Sequence, residues 1–144
     1  LRGLKTLSVR MRKHCENAAY VARFLNTHPK VAVTHFPGLS THPGHAIARE
    51  QMSGQYGGMV AFELKGTRED SKKLMDSIEM SVLAVSLGDC DTLICHPAST
   101  THAKYTPEEL AEAHIGESMI RLSVGIEDAQ DICDDLEQAL QKIG

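Results

Sequence analysis

Residues 119–128 have the sequence MIRLSVGIED, which places one arginine, Arg121, inside an apolar run. The branched apolar residues of this run predict a β-strand over residues 118–124. An unpaired guanidinium buried in a strand is costly, so Arg121 must reach water, an acidic side chain or a ligand anion. The residues alone leave three roles open for Arg121: a surface cation, an ion pair with Glu127 or another acid, and a ligand contact.

A second stretch, residues 85–102, has the sequence VSLGDCDTLICHPASTTH and is rich in Gly, Pro, Ser and Thr. This composition predicts an irregular loop after a strand over residues 81–85. Ser86-Leu87-Gly88 comes where that strand ends, a place at which backbone N–H groups and a hydroxyl can converge on an anion. An ordinary turn is the alternative, and the spacing of Thr101 and His102 indicates no catalytic triad.

The remaining residues alternate between helical and strand patterns. Apolar residues recur at helical spacing over a long opening helix, residues 1–28, and a closing helix, residues 126–143. Between them we predict strands at 31–36 and 59–64, a short helix at 45–52, and helices that begin after Thr67 and Thr106. The pattern predicts an α/β fold, a two-layer α+β sandwich of about four strands with helices on one face and the other face free.

Composition bounds the class of protein. A chain of 144 residues with 42% hydrophobic residues and a net charge of −4 indicates one globular domain, and nothing in it favours nucleic acid or an anionic membrane surface. No apolar run approaches the roughly 20 residues of a membrane span, and we expect a cytoplasmic location. The four cysteines form no C-x-x-C pair and are interpreted as reduced thiols. His42-Pro43-Gly44-His45 and Cys95-His96 fit turns better than a zinc site, so no metal is predicted.

Several motifs resemble one family in order and spacing. Residues 86–88, residues 96–102 and residues 120–127 are similar to the C-terminal part of the Cys/Met-metabolism family of pyridoxal-phosphate (PLP) enzymes. The opening-helix motif RGLKTL at 2–7 and FPGL at 36–39 agree, as do Arg10, Met11, His14, His42-Pro43, His45 and Gly57-Gly58-Met59. The resemblance implies that residues 1–144 are the single small C-terminal domain of a fold-type I, aspartate-aminotransferase-like enzyme. The larger PLP-binding domain is expected to lie outside this sequence.

The resemblance also implies site residues. Arg121 is expected to grip the α-carboxylate of an amino-acid substrate with the help of Ser86 and Leu87, and Thr101 is expected to lie near the active site. The Schiff-base lysine of the family stands in a Ser-x-x-Thr-Lys context that no lysine of this chain has. We therefore expect no catalytic residue in this chain, no covalently bound PLP, and no activity of the chain alone.

Val85 bears on the substrate. Family members that handle cystathionine tend to carry an acid at this position, whereas an apolar residue suits a methylthio group, because a carboxylate would favour a distal ammonium. The sequence at Val85, at residues 86–89 and at residues 105–109 resembles the methionine γ-lyase branch of the family. This resemblance implies γ-elimination of L-methionine to methanethiol, 2-oxobutyrate and ammonia.

Two alternatives to the methionine branch stay open. One is a cystathionine γ-lyase or synthase, or an O-acetylhomoserine sulfhydrylase, of the same family. The other, of a different class, is a non-enzymatic small-molecule-binding or interaction domain. The partners that the resemblance implies are L-methionine or a related sulfur amino acid, the N-terminal PLP domain, and further copies of the chain in a homo-oligomer, a tetramer in the family.

Overall fold

The computed structural model describes residues 1–144 as one five-stranded sheet with helices. The strands are β1 (Val31–His35), β2 (Met59–Leu64), β3 (Val82–Leu83), β4 (Leu93–Cys95) and β5 (Met119–Ser123). The helices are α1 (Leu7–Thr27), α2 (His45–Gln51), α3 (Arg68–Ser77), α4 (Pro107–Glu112) and α5 (Ala129–Gln141), with 3₁₀ turns at Gly3–Thr6 and Pro97–Ser99. The sheet order is β1-β2-β5-β4-β3; β3 and β4 pair in parallel, and the other neighbours are antiparallel. None of the helices is long and apolar enough to span a membrane.

One face of the sheet packs against helices and forms the core. Side chains alternate along β2 and β5, so that Val60 and Phe62 join Ile120 and Leu122 in a single cluster of buried apolar residues. Helices α1 and α5 supply much of the remainder of this cluster, including Ala18, Val21, Leu25, Ile132, Leu136 and Leu140. The predicted α/β layering is confirmed, as is the helical apolar pattern of the closing helix.

The apolar pattern of the opening helix is wrong for Leu4 and Met11 but holds from Cys15 onwards. Leu4 is 66% exposed and Met11 is 39% exposed, whereas Ala18 and Ala22 are fully buried. Burial along the helix begins at His14 and Cys15, where Nδ1 of His14 lies 2.7 Å from the carbonyl oxygen of Val124. The first residues also form a 3₁₀ turn before the α-helix begins at Leu7.

The number of strands is larger than the pattern predicts. Residues 93–95 form β4 inside the stretch that we expected to be irregular, and the preceding strand is only Val82–Leu83. Each is too short to show a period, and β4 forms because it pairs with β5 on one side and β3 on the other. The closing helix begins at Ala129 because the Asp128 side chain accepts the N–H of Gln130 and caps it.

The face of the sheet away from the core cluster, here called the outer face, is not entirely free as predicted. The register pairs Arg121 with Ala61 and Cys95, and alternation places all three on this outer face. Residues 85–88 lie against it, since the Gly88 N–H donates to the Ser123 hydroxyl oxygen. Helix α4 and the strand residues His35 and Glu63 line a cavity of about 480 Å³.

Candidate functional site

Arg121 lies in the central strand and contacts the loop that follows β3. Its Nη2 donates hydrogen bonds to the carbonyl oxygens of Val85, at 3.1 Å, and Ser86, at 3.0 Å. No carboxylate lies within 4.0 Å of the guanidinium, whose charge is therefore unpaired. Glu127, the acid considered as its partner, instead accepts the backbone N–H and the hydroxyl of Thr92. The structure excludes the ion-pair role for Arg121.

The guanidinium keeps donors that nothing in the chain uses. Its Nε is buried and has no hydrogen-bond partner, and Nη1 has none either. An unsatisfied buried donor such as Nε costs about 1–3 kcal/mol. A half-buried cation with free N–H groups and no counter-charge is suited to bind an anion, and a planar carboxylate matches its fork.

Residues 85–89 form an exposed bridge beside this arginine, here called the 85–89 segment. The side chains of Val85 and Leu87 are 57% and 60% exposed, which is unusual for apolar residues next to a strand. Gly88 has φ +81°, a conformation that glycine adopts without strain. The segment therefore exposes a hydroxyl, Ser86, and two apolar side chains, while its backbone carbonyls contact the guanidinium.

The structure brings together most of the predicted substrate-binding residues. Val85, Ser86 and Leu87 are neighbours in the 85–89 segment, and Arg121 contacts the backbone of the first two. Thr101 is exposed, and its Oγ1 lies 2.8 Å from Nδ1 of His102. It makes no hydrogen bond to Arg121 or to the 85–89 segment, so its role stays a prediction that this domain does not test.

The largest cavity lies beside the segment but does not include Arg121. It measures about 680 Å³ and is lined by α3, by residues 83–86 and by residues that follow β4, including Ser99 and Thr100. Cys95 lines it as well, and burial raises the pKa of this thiol, although the nearby positive charge of Arg121 opposes the shift. A protonated thiol is a poor nucleophile. We place the site at Arg121, because the free charge lies there.

No three His, Cys, Asp or Glu side chains are arranged to hold a metal ion. The histidines of the two motifs considered for zinc have other contacts. Nδ1 of His42 accepts the N–H of Gly44, and Nδ1 of His45 lies 2.8 Å from the carbonyl oxygen of Pro37. His96 uses both ring nitrogens, with the Ser99 hydroxyl and the Glu117 carbonyl oxygen.

The residues around Arg121 do not fit PLP. A PLP site needs a lysine for the Schiff base, and Lys72, which lines the large cavity, has its Nζ 2.7 Å from Glu69 and is half exposed. The cavity lining contains no Phe, Tyr or Trp on which a pyridine ring could stack. The residues around Arg121 are therefore given no role in holding the cofactor.

Sequence reasoning missed one residue of the site, Ser123. It is 3% exposed and follows Arg121 by two positions, so it lies on the same face of β5. Its hydroxyl oxygen accepts the Gly88 N–H at 2.9 Å. The two-residue spacing in a strand was the available signal, because residues i and i+2 share a face.

Comparison with known proteins shows the family to which the sequence is similar. Residues 1–141 match the sequence model of the Cys/Met metabolism PLP-dependent enzymes. The chain is 53% identical over 143 residues to an L-methionine γ-lyase of Fusobacterium nucleatum subsp. polymorphum, covering 99% of this chain and 36% of the relative. It is 49% identical over 142 residues to a cystathionine γ-lyase of Dictyostelium discoideum, with the same two coverages.

A solved structure is similar as well. The cystathionine γ synthase of Xanthomonas oryzae pv. oryzae, in complex with cystathionine, superposes with a TM-score of 0.91 at 45% identity. The match covers 98% of this chain and 36% of that protein. The chain thus spans about a third of the length of the proteins that it resembles.

Proposed function

Because the chain belongs to the Cys/Met-metabolism family of PLP-dependent enzymes, we propose that it is the substrate-carboxylate-binding domain of a methionine γ-lyase. The whole enzyme would convert L-methionine to methanethiol, 2-oxobutyrate and ammonia. One observation carries the proposal: Arg121 is a half-buried cation with no acidic partner and with unused donors, and its Nη2 contacts the 85–89 segment.

Arg121 binds the α-carboxylate of the substrate in this proposal. The guanidinium offers two neighbouring N–H groups to the two carboxylate oxygens, and the sheet beneath it limits the water that would weaken the pair. Fixing the carboxylate fixes the orientation of the bond between Cα and its hydrogen, which is a positioning role. Ser86 adds a hydroxyl to the same anion, while Leu87 and Thr101 border the amino acid.

The cofactor belongs to another part of the enzyme. PLP supplies the electron sink for reactions at the α-carbon of amino acids. The larger domain, with the Schiff-base lysine, would hold it, and residues 1–144 would form the C-terminal domain that closes the site. Family resemblance further suggests a homotetramer, which the mass of the full-length enzyme in solution would test. We also propose a cytosolic location, a compartment in which the four cysteines would stay reduced.

The proposal is tested by substrate preference in the full-length enzyme. We expect kcat/KM for L-methionine to exceed that for L-cystathionine by about tenfold or more, since discrimination at one pocket contact is worth about 1–3 kcal/mol. A preference for cystathionine would assign the enzyme to the second candidate function, cystathionine γ-lyase or synthase, which the similarity to the Xanthomonas oryzae protein favours. Turnover of neither by the PLP-loaded enzyme would favour the non-enzymatic binding domain.

Val85 is expected to set part of this preference. The substitution Val85→Glu places a carboxylate at an exposed position in the 85–89 segment, where it can pair with the distal ammonium of cystathionine but not with a methylthio group. The ratio of kcat/KM for cystathionine to that for methionine should rise about tenfold. Val85→Leu is the matched control and should leave the ratio within twofold. A ratio that Val85→Glu does not change would remove Val85 from the determinants of specificity.

The 144-residue chain by itself should not take up the cofactor covalently. After incubation with PLP and reduction with borohydride, mass spectrometry should find no stoichiometric pyridoxyl adduct, because the lysine that lines the large cavity, Lys72, is half exposed and paired with Glu69. The full-length enzyme, treated in the same way, should carry one pyridoxyl group per chain. A stoichiometric adduct at one lysine of the short chain would contradict the assignment of the cofactor to the other domain.

A further inference from the structure

The 85–89 segment is held on the domain by hydrogen bonds with two side chains of β5, Arg121 and Ser123. On one side it begins after Ala84, whose N–H donates to Ile94, and on the other it ends at Cys90, whose carbonyl accepts from Ile126. Between these points its only hydrogen bonds to the rest of the domain are those with Arg121 and Ser123. The segment that carries Ser86 therefore depends on β5 for its position.

A bound carboxylate would affect the hydrogen bonds of Arg121 but not the hydrogen bond of Ser123. Both hydrogen bonds from Arg121 come from one nitrogen, Nη2, which has only two N–H groups to give. A carboxylate that pairs with two neighbouring nitrogens of the guanidinium competes with the carbonyl oxygens of Val85 and Ser86 for these donors. The hydrogen bond between Gly88 and Ser123 meets no such competition, because the Ser123 hydroxyl is buried and serves only as its acceptor there.

We propose that Ser123 is a positioning residue for the substrate carboxylate: it holds the Ser86-Leu87-Gly88 backbone on β5 while Arg121 exchanges loop carbonyls for the ligand. This inference rests on the function proposed above. Without the Ser123 hydroxyl, the segment is free at Gly88, a residue whose backbone has unusual freedom. The fraction of molecules with Ser86 correctly placed falls, and apparent affinity falls by the same factor.

The test compares three variants of the full-length enzyme, each loaded with PLP. Ser123→Ala should raise KM for L-methionine about fivefold, the value expected for one neutral hydrogen bond, and leave kcat within twofold. Ser123→Thr keeps the hydroxyl and should restore KM to within twofold of the wild-type value. Ser118→Ala is the matched control, because that hydroxyl donates to the Leu64 carbonyl oxygen, away from the segment. It should leave KM unchanged.

A second readout does not depend on activity. Hydrogen exchange in a peptide covering residues 84–90 should be faster in Ser123→Ala than in the wild type, since the Gly88 N–H loses its acceptor. Unchanged exchange in this peptide would overturn the inference. So would an unchanged KM for Ser123→Ala where Arg121→Ala raises KM, and the proposed function would then stand without Ser123. Unchanged KM in both variants would refute the proposed function, and this inference with it.

Discussion

Replacing Arg121 with alanine in the full-length enzyme is expected to raise KM for L-methionine about 100-fold. Truncating one partner of a hydrogen-bonded charge pair costs about 2–5 kcal/mol, and this loss falls on substrate binding. The free energy of unfolding should change by less than about 1 kcal/mol, because Arg121 makes no ion pair and its neighbours accept only two hydrogen bonds from it. Steady-state kinetics and urea unfolding of the same preparation measure the two effects.

Two further variants control this prediction. Arg121→Lys keeps the charge but loses the planar fork, so its KM should lie between those of the wild type and the alanine variant. Arg49→Ala removes an exposed arginine of α2 that makes no ion pair, and it should leave KM unchanged. If Arg121→Ala had a KM within threefold of the wild type, the carboxylate would be bound elsewhere.

The largest expected effect on stability comes from Asp135 of α5. This carboxylate is 6% exposed and accepts the N–H groups of Glu79, Met80 and Ser81, at 2.8–3.1 Å, together with the Ser81 hydroxyl. It thereby fixes the turn between α3 and β3. Asp135→Ala leaves these donors without an acceptor and should lower the free energy of unfolding of the 144-residue chain by about 3 kcal/mol.

The effect of Asp135 should depend on pH. Burial opposes its ionisation, but the hydrogen bonds from Glu79, Ser81 and Met80 outweigh burial and hold its pKa below the ordinary value of 3.8. A lowered folded-state pKa stabilises the fold above the unfolded-state pKa, and this contribution disappears as the pH falls through the folded-state pKa. Urea unfolding should thus show the full difference in free energy of unfolding between wild type and Asp135→Ala at pH 7, and a much smaller difference well below pH 4.

The matched control for Asp135 is its neighbour Asp134. Asp134 is exposed on the same helix, and its side chain accepts only the Gln130 amide. Asp134→Ala should change the free energy of unfolding by less than about 0.5 kcal/mol at either pH. Equal effects of the two alanine variants would contradict the role assigned to the buried carboxylate.

Elements with a long period or a local signal could be predicted from the sequence. The strand predicted at 59–64 has those bounds in the fold, and the Thr67 and Thr106 caps both form capping boxes, with Asp70 and Glu109. Strand β4 could not be predicted, because three residues show no period and its pairing partners lie elsewhere in the chain. The exposure of Leu4 and Met11 could not be predicted either, because an apolar pattern does not show where along a helix its contacts with the core begin.

For the site, the sequence could predict the charged residue, Arg121, but not the residues that surround it in the fold. An arginine inside an apolar strand is unusual enough that the residue pattern alone singles out Arg121. Whether Glu127 neutralises it depends on the path of residues 88–92, where Thr92 takes that carboxylate. The Ser123 contact likewise depends on how the 85–89 segment crosses the outer face, which no local pattern records.

The measurement that tests the central claim most directly compares L-methionine with L-methioninamide in wild-type and Arg121→Ala full-length enzyme. The amide lacks the anion and is otherwise the same size. If Arg121 binds the α-carboxylate, the wild type should prefer methionine by about 100-fold in kcat/KM, and the variant should lose nearly all of this preference. An Arg121→Ala enzyme that still preferred methionine by the wild-type factor would contradict the account.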